Sequence, residues 1–102
     1  MYRYTTPTLP LTISDLDFSN IALFRVTIEQ GGTEMLKVIE ADDPAVDAQH
    51  KTICVPLTQE ETAALKQGSC GVQVRYKTTG GTVGATNAAT VSVNDVYDEE
   101  VI

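Results

Sequence analysis

Alternation of apolar and polar side chains is the dominant pattern in this sequence. It is clearest in "GVQVRYK", where Val72, Val74 and Tyr76 alternate with polar neighbours. Because successive side chains of a β-strand point to opposite faces, this pattern predicts a strand with one buried face. Related patterns of alternating, β-branched or apolar residues predict further strands near residues 9–13, 21–30, 33–39, 52–57 and 86–93.

The apolar positions of these strands define a predicted hydrophobic core. We expect Ala22 to lie on the same face of its strand as Phe24, two residues later. The core is predicted to include Phe24, Val26, Ile28, Ile53, Val55, Val72, Val74, Tyr76 and Val91. Pro7 and Pro10 confine the first strand to a sheet edge, since proline has no N–H to donate.

One segment, "TQEETAALKQG", carries a helical signal. Thr58 and Glu61 have the spacing of a capping box, in which each side chain accepts a hydrogen bond from a backbone N–H at the helix start. Gly68 is placed to end the helix in the left-handed conformation. A helix of about eight residues is too short to cross a sheet and return a parallel strand, so the sheets should be antiparallel.

Two glycine-containing segments predict tight turns. Gly31-Gly32 is a two-residue hairpin signal, since the favoured turns need positive φ. "KTTGGTVGATN" resembles a phosphate-binding loop in its glycine content. Such a loop must open into a helix, however, and here it leads into the strand sequence "AATVSV". A hairpin loop is therefore the better interpretation.

These elements predict an all-β fold with a single domain over residues 1–102. The expected architecture is an antiparallel Greek-key, immunoglobulin-like β-sandwich with one short helix at a strand–strand corner and extended arms at 1–8 and 94–102. The order of strand, short helix and strand resembles the E-to-F corner of immunoglobulin-like sandwiches. The chain lacks tryptophan and the inter-sheet cysteine pair, which argues against an antibody-type domain.

The charge of the chain limits its partners. Fourteen acidic and seven basic side chains give a formal charge of −7, which repels nucleic acid and anionic lipid. No apolar run is long enough for a membrane-spanning helix, and the N-terminal residues lack the pattern of a secretory signal peptide. We therefore expect no nucleic-acid partner, no membrane partner and no signal-directed secretion.

The acidic residues Glu40, Asp42, Asp43 and Asp47 are weak candidates for a cation site. They lack the order of ligands found in an EF-hand, so a solvated loop is the expected structure. His50 is the single histidine of the chain and has no partners in sequence for a familiar triad or zinc site. We expect no cofactor and no catalytic residue.

The two cysteines, Cys54 and Cys70, allow one disulfide. A lone pair in a chain without an export signal is more often two reduced thiols, with a native disulfide as the alternative. Cys54 alternates with Ile53 and Val55 and should point to the opposite face of their strand.

The residues near the two ends of the sequence are unusually apolar. Tyrosine and branched aliphatic side chains at such positions either pack on their own domain or contact a partner, and both alternatives fit the sequence. The interface candidates are Tyr2, Tyr4, Tyr97, Val101 and Ile102.

Four segments of the chain carry a family resemblance: "RYTTPTLPLTI", "VPLTQEETAALKQG", "TTGGTVGATN" and the acidic "DEEVI". In these segments it resembles a group of short uncharacterised proteins from phages and prophages of Gram-positive gut bacteria. The resemblance implies a component of the virion or of its assembly, in the bacterial cytoplasm during assembly or in the virion itself. It supplies no catalytic residues.

The sequence therefore favours a non-enzymatic structural or assembly protein of a phage particle, associated with the head or the tail. Its partners would be other phage structural proteins or further copies of itself. A small ligand-binding or adhesion β-sandwich module is the alternative.

Overall fold

The computed structural model describes residues 1–102, and most of them form antiparallel β-structure. A single 3₁₀ turn at Phe18–Asn20 precedes the second strand. In chain order the elements are β1 (Thr8–Thr12), β2 (Ile21–Gln30), β3 (Thr33–Glu40), β4 (Val46–Asp47), β5 (Thr52–Pro56), α1 (Gln59–Ala63), β6 (Gly68–Thr78) and β7 (Val83–Val93).

The strands form two sheets. The first has three strands in the order β1-β5-β4, and the second has four in the order β3-β2-β6-β7. Every pairing within the named strands is antiparallel, which confirms the predicted all-β antiparallel class. β1 lies at an edge of the first sheet, as the missing N–H of Pro10 requires.

One hydrophobic core joins side chains from both sheets. Two of the predicted core residues, Tyr76 and Val91, are only partly buried and pack against the buried cluster. The ring of Phe18, from the 3₁₀ turn, packs 5.1 Å from that of Phe24 between ring centroids. The predicted core residues that are buried are Phe24, Val26, Ile28, Ile53, Val55, Val72 and Val74.

A bulge at the start of β2 changes the predicted alternation there. Ile21 pairs with Thr78 and Leu23 with Lys77, so Ala22 is an extra residue between two adjacent pairs of the ladder. The prediction that Ala22 continues the buried face of Phe24 is therefore wrong, because Ile21 is the buried residue and Ala22 is only half-buried.

The glycine-rich segment forms a hairpin between β6 and β7. β6 extends to Thr78 and β7 begins at Val83, about three residues earlier than the strand start predicted at residue 86. Gly81 in the turn has φ of 91°, a conformation that glycine adopts without strain. The chain leads directly into β7, as the hairpin interpretation predicted.

Gly84 belongs to β7 and not to the turn. It pairs across the sheet with Tyr76, and a Cβ atom built on it would collide with the Tyr76 ring. The third glycine of the motif therefore gives the tyrosine ring room to lie against the neighbouring strand.

The helix begins with the predicted capping box. The Glu61 N–H donates to the Thr58 Oγ1 at 3.2 Å, and the Thr58 N–H donates to the Glu61 Oε1 at 2.8 Å. Glu61 also forms an ion pair with Lys37 of β3, at 2.6 Å. The helix is shorter than predicted, and Gly68 does not end it: Gly68 is the first residue of β6, and Ala64 is the C-cap.

We expect Thr58→Ala to reduce the free energy of unfolding by about 1 kcal/mol, since it removes the acceptor for the Glu61 N–H. Urea unfolding of the purified protein measures the effect. Thr79→Ala is a matched control, because Thr79 is exposed and only its backbone N–H forms a hydrogen bond. Equal unfolding midpoints for the two variants would contradict the capping role.

Candidate functional site

The first three residues pair with the end of β7. The backbone nitrogen of Met1 donates to the Ser92 carbonyl at 3.0 Å, and the Asn94 N–H donates to the Met1 carbonyl at 2.7 Å. The Arg3 N–H then donates to the Asn94 carbonyl at 2.9 Å. The pairing of this segment is parallel, with Tyr2 opposite Asn94. Residues 1–3 therefore extend the four-stranded sheet beyond β7.

Arg3 connects three parts of the chain. Its guanidinium donates to the Ala63 carbonyl at 2.9 Å and to the Leu65 carbonyl, at the end of α1. It also pairs with the carboxylates of Asp95, at 2.7 Å, and Glu99, at 3.4 Å. The Arg3 side chain is only 15% exposed. It therefore binds the N-terminal segment (residues 1–3), the helix and the C-terminal segment (residues 94–102) to each other.

Sequence reasoning missed this role of Arg3. The available signal was one cation in the segment "MYRYTTP" and several acids in the segment "DVYDEEVI". Nothing in the local pattern shows that residues 3 and 95 become neighbours, because that contact depends on the complete sheet topology.

Tyr4 is held in an unusual conformation next to Arg3. Its φ is 57°, and the Arg3 guanidinium carbon lies 5.3 Å from the centre of its ring, a cation–π distance. The following residue, Thr5, binds the buried Thr62 side chain through both its N–H, at 3.0 Å, and its carbonyl, at 2.8 Å. These contacts fix the backbone around the strained residue.

Three apolar side chains of the C-terminal segment face outward, although its backbone is anchored at Ile102. The Ile102 N–H donates to the Gln59 Oε1 at 2.8 Å, and the Gln59 side-chain amide donates to the Ile102 carbonyl at 2.7 Å. The side chains of Tyr97 and Ile102 are nevertheless fully exposed, and Val101 is about half exposed.

The structure brings together some of the predicted interface candidates. Tyr2, which is 57% exposed, and Tyr97 line one surface depression with Asp95. Tyr4 does not line this depression. Ile102 lies at the start of α1, beside Gln59. Outward-facing tyrosines in a depression with a polar rim are typical of protein interfaces.

Two of the four acidic residues in and after β3, Asp43 and Asp47, stabilise local turns. The Ala45 N–H donates to the Asp43 Oδ1 at 2.8 Å. Asp47 accepts from the His50 N–H at 3.2 Å and is hydrogen-bonded to the His50 Nδ1 at 2.7 Å. Glu40 is the last residue of β3, and Asp42 lies in the turn that follows. The structure holds no group of three or more His, Cys, Asp or Glu side chains arranged to bind a metal ion.

Both cysteines are free. Cys54 is half-buried between the buried Ile53 and Val55, on the opposite face of β5 as predicted. Burial raises the pKa of the Cys70 thiol above its ordinary value, which favours the protonated, unreactive form.

A second set of exposed apolar side chains lies on the outer face of the four-stranded sheet. Leu36 and Val38 of β3 are 47% and 55% exposed, and Val83 of β7 is 53% exposed. The signal in the sequence was the run "MLKVI", which is apolar on both faces of a strand and therefore apolar on its solvent side as well.

The stability of the protein should fall in acid. The hydrogen bond from Arg3 lowers the pKa of Asp95, and the hydrogen bond from the His50 side chain lowers that of Asp47. For Glu61, burial raises the pKa, but hydrogen bonds from Lys37 and Thr58 outweigh it and lower the pKa overall. A carboxylate whose pKa is depressed in the folded state stabilises the fold at pH values above its unfolded pKa. That stabilisation is lost as the pH falls through the folded pKa.

We therefore expect the urea midpoint to fall as the pH is lowered from about 5 to 3. Asp95→Asn should make that fall smaller, since it removes one of the depressed carboxylates. Asp98→Asn is the control, because Asp98 forms no ion pair with Arg3. A midpoint that stayed constant in acid would contradict the role of these ion pairs.

Comparisons of the chain with protein-family models, with curated proteins and with solved structures gave no match. None of the helices in the structure has the length and apolar character needed to cross a bilayer.

Proposed function

We propose that this protein is a non-enzymatic structural or assembly component of a phage or prophage particle and acts through protein–protein contacts. The family resemblance of the segments quoted above supports the phage context. The single observation that carries the proposal is the C-terminal segment, which Gln59 holds at Ile102 and Arg3 holds at Asp95 and Glu99, while Tyr97 and Ile102 remain fully exposed.

This arrangement suits binding to a protein surface for an energetic reason. A mobile segment loses conformational entropy when it binds, whereas a segment already held in place loses much less. Burial of large apolar side chains then contributes about 1.5–3 kcal/mol each. Anchored, exposed Tyr97 and Ile102 therefore resemble the preorganised anchor residues of a protein interface.

We also propose that the two sheets form an immunoglobulin-like Greek key. The strand orders support this assignment: β3-β2-β6-β7 corresponds to C′-C-F-G, and β1-β5-β4 corresponds to B-E-D. The helix α1 lies in the connection from β5 to β6, which corresponds to the E-to-F corner. Such sandwiches are used as rigid scaffolds that present interaction surfaces.

The proposal is tested by particle association. Particles from a host strain that encodes the chain would be purified by density gradient, and the chain would be quantified in them against an abundant host cytosolic protein. We expect the chain to be enriched in particles or in head or tail assembly intermediates. Its absence from all of these would overturn the proposal, and its recovery only on host cells would favour the adhesion module instead.

The role of the C-terminal segment has its own test. In the double variant Tyr97→Ser and Ile102→Ser, we expect incorporation to fall at least about tenfold, which corresponds to a loss of about 1.4 kcal/mol of contact energy. Gln49→Ser, at an exposed position in another loop, is the control. Equal incorporation of both variants would contradict the role of Tyr97 and Ile102.

A further inference from the structure

Two like-charge pairs lie on the outer face of the four-stranded sheet. Arg25 of β2 is directly opposite Arg75 of β6, and Glu29 of β2 is directly opposite Glu34 of β3. All four side chains are exposed, and none forms an ion pair within the chain. Like charges directly opposite each other destabilise a sheet, so an isolated monomer gains nothing from this arrangement.

The two pairs are separated along the same strand. Arg25 and Glu29 are four residues apart on β2, about 13 Å at the usual rise of a strand. Thr27 lies midway between them and pairs with Leu36 on one side and Gln73 on the other. The face therefore has a basic row, a neutral middle row and an acidic row.

We propose that this face docks against the same face of a second copy of the chain. A twofold axis through Thr27, in the plane of the interface and perpendicular to the strands, places Arg25 of each copy over Glu29 of the other. The same axis places Arg75 over the position of Gly71, where there is no side chain to obstruct it. Arg25 and Glu29 are thus paired between the two copies, and Arg75 lies next to Glu29 of the other copy, because Gly71 is directly opposite Glu29.

Apolar side chains fit the same symmetry. Leu36 lies in the middle row and faces Leu36 of the other copy across the axis. Val38 lies in the row of Arg25 and meets the aliphatic part of Glu34. Burial of these exposed side chains supplies the hydrophobic part of the contact.

The net charge of the face supports a second copy as the occupant. The whole chain carries a charge of −7, so two copies have a net repulsion for each other. The outer face instead has equal numbers of acids and bases, so two copies can approach through this face without a net repulsion between the docked surfaces. Its charged residues are Arg25, Glu29, Glu34, Glu40, Arg75 and Lys77.

The expected dimer is weak. Four strands about 4.8 Å apart and about eight residues long give a face of roughly 500 Å² in projection. Stable protein interfaces bury about 800 Å² of accessible surface on each partner, so a reversible dimer is expected. The inference rests on the proposed assembly role, in which many copies are held at high local concentration.

Sedimentation equilibrium over about 10 to 500 µM at low salt tests the proposal, since weak interfaces dissociate in this range. We expect a monomer–dimer equilibrium that shifts to monomer in high salt. Arg25→Glu should weaken the dimer at least about tenfold, because it places two acids together across the axis. A wild-type protein that is monomeric throughout would overturn the proposal.

Charge exchange gives the sharpest outcome. Glu29→Arg alone should also weaken the dimer, and the double variant Arg25→Glu and Glu29→Arg should restore it. Lys66→Glu, an exposed charge reversal outside this face, is the control and should have little effect. Failure of the double variant to restore association would overturn the proposed symmetry.

Folding and association can be separated with the same variants. Arg25→Glu creates an opposite-charge pair with Arg75 inside the monomer, so its melting temperature should rise or stay unchanged while the dimer is lost. If the melting temperature of Arg25→Glu fell together with its dimerisation, the substitution would have damaged the fold, and Arg75→Glu would be measured instead. If Arg75→Glu dimerised as strongly as the wild type, the proposal would be overturned. A monomeric protein that still enters particles would refute the dimer alone, and a dimer absent from particles would refute the assembly role alone.

Discussion

Replacement of Phe24 by alanine is expected to lower the free energy of unfolding by about 3–5 kcal/mol. The Phe24 side chain has no solvent exposure and packs against the Phe18 ring. Its removal loses the transfer energy of the ring and leaves a cavity between the sheets that the surrounding side chains only partly fill. Because domains of this size are stable by only about 5–15 kcal/mol, the variant should lose a large part of its stability.

Urea unfolding of Phe24→Ala measures this loss. Val83→Ala is the control, since Val83 is 53% exposed and its truncation should change stability by no more than about 0.5 kcal/mol. A loss of less than about 1.5 kcal/mol for Phe24→Ala would be too small for a ring in the centre of the core.

Replacement of Arg3 by methionine is the second large effect that we expect, with a loss of about 2–3 kcal/mol. Methionine retains much of the apolar stem but donates no hydrogen bond. This one substitution would remove the hydrogen-bond donor of three acceptors: the carbonyls of Ala63 and Leu65 and the carboxylate of Asp95. The N-terminal segment, the end of the helix and the C-terminal segment should then loosen together.

Two measurements test this coupling. Thermal unfolding gives the stability, and hydrogen exchange of the Asn94 N–H, which donates to the Met1 carbonyl, reports whether the N-terminal segment has detached from β7. Lys66→Met is the control, because the Lys66 side chain is exposed, lies outside the charged sheet face and forms no ion pair. If both variants had the same stability and Asn94 exchange rate, Arg3 would not connect the segments.

The sequence predicted the features that depend on neighbouring residues. Alternation in "GVQVRYK" identified β6, and the spacing of Thr58 and Glu61 identified the helix start, because both patterns are short-range consequences of backbone geometry. The two positive-φ glycines at Gly31 and Gly32 identified the turn between β2 and β3 for the same reason.

Features that depend on pairing between distant residues were not predictable in this way. The bulge at Ala22 follows from the register of β2 against β6, about fifty residues later. The local sequence places Gly84 in the loop, and only its pairing with Tyr76 shows that it belongs to β7. The contacts of Arg3 and the opposition of Arg25 to Arg75 likewise exist only after the sheet has formed, so composition and periodicity contain no direct signal for them.

The tyrosines provide the most direct test of the central claim that this protein acts by presenting side chains to other proteins in a particle. Iodination followed by mass spectrometry would compare the free protein with purified particles. In the free protein, Tyr97 should be labelled strongly and the half-buried Tyr76 weakly. In particles, the account predicts that labelling of Tyr97 falls at least about fivefold relative to Tyr76, as expected for a side chain buried at an interface. Equal relative labelling in the two samples, or absence of the chain from the particles, would contradict it.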